Sequence, residues 1–322
     1  MQVRGIKGWI ATPIALALAA FLLYKADLGR IVNALSEAPL GVIASGLLLY
    51  LAFNLLKALR FHLLLKRELP FVRLIPLTLI YSFWSNLLPM RAGDLAYLYM
   101  LRSGERVSIS KGISSLAVGT LFDVALIFAS LLGLGIALKG DLKGALPRAT
   151  RLILPALIAA VALLLSSIVL LGRRMPMLKG GGVIAKGWGK LSEVMNEIGG
   201  FRPRDLLLGI LPLSIGLLLL RFGMQCYLAE GMGFRFGWAR ISFALAFTSF
   251  CNLFPIQSVA GLGTVEAPWS WALVGIGEGS GDAIASGFAL HALILAYAIV
   301  SGGVGWISWS LTKVVRGSGM SS

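Results

Sequence analysis

The sequence is short of charge, cysteine and histidine. Of its 322 residues only 13% are charged, two are cysteine and two are histidine. Soluble globular chains run nearer a quarter charged, so a water-solvated surface is excluded for most of this one. Cys226 and Cys251 both sit in apolar runs and indicate no disulfide framework. His62 and His291 lack the paired spacing of a metal site, so no metal or other cofactor is expected. No polar stretch is long enough for a separate enzyme domain. The glycine spacing is no nucleotide fingerprint, since no strand pattern precedes it, and no ATP-binding motif is present.

Apolar residues fill the gap, at 57% of the chain with mean hydropathy +0.86. Such surface needs lipid as its solvent, and a spanning helix needs about 20 apolar residues. Six segments qualify: roughly 9–25, 40–65, 112–138, 152–172, 206–229 and 283–312. The first run continues to about Tyr24 without a small-residue cleavage site and reads as a retained helix, not a signal peptide. The net charge of +15 would suit nucleic acid only on the basic face of a soluble fold. Here it marks loops that face anionic headgroups, and no nucleic acid is expected. With the N-terminus inside, 17 Lys+Arg fall in inner segments and 8 in outer ones. The expected location is therefore the cytoplasmic (inner) membrane, with both termini cytoplasmic. The outer loop 139–151, with four basic residues, fits this least well. Within the polar stretch 173–205, Val183–Ile198 is amphipathic and reads either as a headgroup-layer helix or as a plain connection.

Two further apolar stretches, about 74–101 and 240–275, are interrupted near their middles. Pro89, Arg91, Gly93 and Asp94 break the first; Pro255, Gly261, Gly263 and Glu266 break the second. Lipid does not tolerate exposed broken backbone, so both read as re-entrant helical hairpins. They also resemble each other. Asn86-Leu87-Leu88-Pro89 is echoed by Asn252-Leu253-Phe254-Pro255, and each is followed by glycine and an acid. Leu59-Arg60-Phe61 is echoed upstream by Leu220-Arg221-Phe222. The predicted fold is an all-α integral membrane protein of about six transmembrane helices plus two re-entrant hairpins. They form two inverted repeats, 1–138 and 152–316, because three crossings per half turn the second half over.

Charges inside the apolar segments carry the functional reading. Placing one at a helix centre costs about 2.5–3.5 kcal/mol on insertion scales, so Arg60, Arg91, Asp94, Asp123, Arg221 and Glu266 should face partners or a wet cavity. The arginines can fork hydrogen bonds onto a phosphate, or they can pair with the acids as structural salt bridges. Asp94 and Glu266 can cap a restarting helix, and can equally recognise a headgroup amine or carry a proton. Lys57 is expected to snorkel from a helix end. Trp84, Trp269 and Trp271 flank the breaks as anchors or packing.

Four blocks resemble the transmembrane (flippase) region of the lysylphosphatidylglycerol synthase/flippase family. They are Leu59-Arg60-Phe61; Asn86 through Pro89 to Arg91-Ala92-Gly93-Asp94; Ser114-Ser115 with Leu121-Phe122-Asp123; and Pro255 through Gly261 and Gly263 to Glu266. The resemblance spans almost the whole chain. It implies a bundle of inverted repeats that binds or moves phospholipids or other lipid-linked headgroups. The soluble lysyltransferase domain of two-part members has no room after Lys313, so a transporter and not an enzyme is expected, and a homodimer is compatible with the class. Two departures bear on the substrate. Tyr97 stands where the family often has Arg, and Gly119-Thr120 where it often has Glu-Arg. The leading reading is a lipid flippase or transporter. The alternatives are a membrane-embedded transferase using a lipid-linked donor, or a non-transporting subunit of a cell-envelope lipid complex.

Overall fold

The computed structural model describes residues 28–89, 92–138, 140, 183–254 and 257–318, and every regular element among them is helical. In chain order these are α1 (Leu28–Ser36), α2 (Leu40–Leu64), α3 (Phe71–Leu87), α4 (Gly93–Tyr99), α5 (Ile109–Ala137), α6 (Val183–Gly199), α7 (Pro203–Gly231), α8 (Trp238–Cys251), α9 (Glu266–Gly275) and α10 (Ser280–Ser318). Prolines set several starts: Pro39 and Pro70 directly precede α2 and α3, and Pro203 opens α7. A ring-fixed φ and a missing N–H cost nothing there. Ser108 caps α5 by accepting from the Lys111 N–H at 3.3 Å.

Four of these helices are long and apolar enough to cross a membrane: Leu40–Leu64, Ile109–Ala137, Pro203–Gly231 and Ser280–Leu311. They match four of the six expected spans. The other two, 9–25 and 152–172, lie outside the described residues. Many large apolar side chains stay exposed, among them Leu40 at 80% and Val72 at 72%. A water-soluble fold would bury such surface; a lipid-facing one need not. The amphipathic stretch is helical over Val183–Gly199 and packs on α5.

Small residues fix the helix directions. Along the α2–α7 contact, Gly231 approaches Val42, Gly46 approaches Leu228, Gly216 approaches Leu56 and Gly209 approaches Leu63, so the two helices are antiparallel. Each broken stretch folds back on itself: α4 packs on α3, and α9 on α8. The ends of each fold are tied together. Arg73 at the start of α3 pairs with Glu105 after α4, and Arg240 at the start of α8 pairs with Glu278 after α9. The first hairpin therefore begins and ends beside the C-terminus of α2, and the second beside the C-terminus of α7. Because α2 and α7 are antiparallel, the mouths sit at opposite rims of the bundle. The hairpins then exchange partners, α3 packing on α10 and α8 on α5.

Both breaks depend on glycine. A Cβ on Gly93 would lie 2.6 Å from the Ser85 Cα and N, backbone atoms that cannot step aside. In the second break Ala260, Gly261 and Gly263 hold φ of 52°, 72° and 78°, the left-handed region that glycine enters most freely.

Candidate functional site

The two broken stretches, α2, α5 and α7 line a cavity of about 310 Å³. A second chamber of about 150 Å³ adjoins it, between the second hairpin's loop and α10. Ser85, Arg221, Asn252 and Gln257 line both, so the chambers share a polar wall. Of the residues singled out in the sequence, Arg60, Asp94, Asp123, Arg221 and Asn252 line the larger chamber, while Asn86, Arg221, Asn252 and Gly261 line the smaller. Arg91 and Pro255 lie outside the described residues. Pro89 and Gly93 shape the first break, and Gly263 the second.

Arg60 is buried and already engaged. Its guanidinium forks onto both carboxylate oxygens of Asp123, with the Nη2–Oδ2 arm at 2.9 Å, and Nη1 also donates to the Ser214 hydroxyl at 3.2 Å. This is the structural pairing left open above, and it joins α2, α5 and α7. Gly119 lies beside this pair: a Cβ there would stand at an ordinary contact distance of 3.5 Å from the Arg60 Nη2.

Asp94 accepts from the Tyr81 hydroxyl at 2.9 Å. Tyr97 is buried, shares a 3.0 Å hydrogen bond with Ser115 and stacks on Phe61 with ring centroids 4.6 Å apart. Arg221 lines both chambers and makes no hydrogen bond or ion pair with any described residue.

Two participants were missed from the sequence. Lys57 does not snorkel; its ammonium turns inward, 4.4 Å from the Tyr81 ring centroid and 3.3 Å from the Ser82 hydroxyl. Its nearness to α3 could not be read from α2 alone. His291, dismissed for lack of metal spacing, meets Glu266 at 2.6 Å through Nδ1. Glu266 is fully buried and also accepts from the Gly263 N–H at 2.7 Å, so it bridges the hairpin loop to α10. Glu266 lies in the first turn of α9, which has no side-chain cap, and its carboxylate is shared between the loop and the histidine.

The arrangement is a charge-lined space between helices whose outer faces carry exposed apolar side chains. The chain has no match among curated proteins or among solved structures. Four apolar membrane-length helices, two broken stretches and the paired motifs agree with the family match over residues 8–302, and this multi-pass membrane protein belongs to that family, the Lysylphosphatidylglycerol synthase TM region.

Proposed function

We propose that this chain is a lipid flippase or lipid transporter in which a headgroup enters the cavity between the hairpins and leaves toward the other leaflet. The observation that carries the reading is Arg221, a cation without a partner among the described residues, facing both chambers of a polar space deep in an apolar bundle. A buried charge is retained at such cost where it binds or conducts something. An arginine offers a phosphate two parallel hydrogen bonds. Arg60 holds the cavity wall together and leaves the phosphate to Arg221, with Arg91 as a second candidate.

The hairpins are read as re-entrant, entering from opposite faces of the membrane, within inverted repeats 1–138 and 152–316. The opposed mouths and the exchanged partners support this. Interrupted helices meeting between inverted halves are a recurrent transporter plan, and rocking of the halves gives alternating access. The cytoplasmic placement of both termini follows from the positive-inside count.

The test is exchange of fluorescent phospholipids between leaflets of proteoliposomes. Wild type should accelerate exchange, and Arg221→Ala should slow it by roughly tenfold or more, as expected for loss of a charge-assisted hydrogen bond to phosphate. Equal rates in the two proteins would remove Arg221 from the mechanism. No exchange with any phospholipid would remove the transport reading.

A further inference from the structure

We propose that the cavity selects an anionic, amine-free phosphodiester headgroup of the glycerol type, and that Lys57 turns amine-bearing headgroups away. The proposal rests on the transport reading and names its substrate class.

The described ionisable side chains lining the larger chamber besides Tyr81 are Lys57, Arg60, Arg221, Asp94 and Asp123. The charge of Asp123 is matched by Arg60, whose guanidinium donates to both of its oxygens. Asp94 is the one acid left for a headgroup amine, but it is bound by the Tyr81 hydroxyl at 2.9 Å. The face of that same ring is covered by the Lys57 ammonium at 4.4 Å, with Phe53 at 5.9 Å on another side. An aromatic face beside a carboxylate is what a substrate ammonium would seek. Here the chain's own ammonium occupies it.

What remains is one positive charge in excess, on Arg221, which faces both chambers. One phosphodiester neutralises Arg221; a further amine would meet Lys57 as a like charge. The uncharged lining supplies hydroxyls and amides, among them Ser115, Ser249, Asn252 and Gln257, groups that pair with alcohols as readily as with phosphate oxygens. A glycerol headgroup offers both.

The experiment measures leaflet exchange by the full-length protein in proteoliposomes carrying acyl-labelled phosphatidylglycerol, phosphatidylethanolamine or phosphatidylcholine. Wild type should move phosphatidylglycerol about tenfold faster than the two amine lipids, since juxtaposed like charges cost at least that much. Lys57→Met should collapse this preference by admitting phosphatidylethanolamine, Lys57→Arg should keep it, and Arg221→Gln should slow phosphatidylglycerol selectively. Lys57→Gln substitutes for Lys57→Met if the latter melts early in detergent. Wild type moving an amine lipid as fast as phosphatidylglycerol would overturn the proposal, as would an unchanged preference in Lys57→Met.

Should wild type exchange no lipid, the transport reading falls, and headgroup choice is judged by binding. The ratio of phosphatidylglycerol to phosphatidylethanolamine retained from an equimolar mixture is read by native mass spectrometry. Enrichment in wild type that is lost in Lys57→Met supports the selectivity; equal retention ends it.

Discussion

Arg60 and Arg221 occupy matching places in Leu-Arg-Phe triplets, yet their surroundings divide their work. Arg60 has a bidentate carboxylate and a hydroxyl; Arg221 has the open cavity. Removing one partner of such a pair strands the other charge. Asp123→Asn should therefore destabilise the protein by about 2 kcal/mol, below the 3–5 of a fully enclosed pair because Asp123 is 42% exposed to the cavity. Arg60→Met combined with Asp123→Leu should recover most of that loss, since no buried charge remains. Melting temperatures in detergent check both. That a charge in α2 needed a partner was legible from hydropathy alone. Which partner it takes was not, because Asp123 lies 63 positions away on a helix whose facing depends on tertiary packing. The same limit hid His291 from Glu266, 25 positions apart, and made Lys57 look like an interfacial lysine.

At the scale of elements, the breaks in the hairpins are built features with measurable costs. Gly93→Ala should destabilise by about 1–3 kcal/mol or more, because the added carbon meets backbone and not a movable side chain. Gly133→Ala, where nothing lies within 4 Å, should leave the denaturation midpoint unchanged or raise it slightly. The two variants measured side by side separate local crowding from a general intolerance of change. In the second hairpin, Glu266→Ala leaves the Gly263 N–H and the His291 ring without their acceptor. A cost of about 1–3 kcal/mol per stranded buried group is expected, together with faster amide hydrogen exchange across residues 261–265. The breaks in both apolar stretches were readable from proline, glycine and charge interrupting them. Their closure was not, since it depends on Arg73 with Glu105 and Arg240 with Glu278, pairs that look like ordinary loop charges in one dimension.

On the scale of the whole molecule, the antiparallel α2–α7 pair sets the polarity of everything else. It sends one hairpin in from each rim and brings both tips to a shared polar space. The central claim is that each hairpin opens to a single face of the membrane and that the two faces differ. Single cysteines introduced by Glu68→Cys and Ser103→Cys flank the first hairpin, and those introduced by Arg235→Cys and Asp282→Cys flank the second; all four parent positions are exposed, and Cys226 and Cys251 are replaced beforehand. A membrane-impermeant thiol reagent applied to intact cells and to inverted vesicles reads their sidedness. The account predicts that 68 and 103 label from the cytoplasmic face and 235 and 282 from the opposite face. If either pair splits between the two faces, the stretch between its members crosses the membrane outright and the shared cavity has no basis.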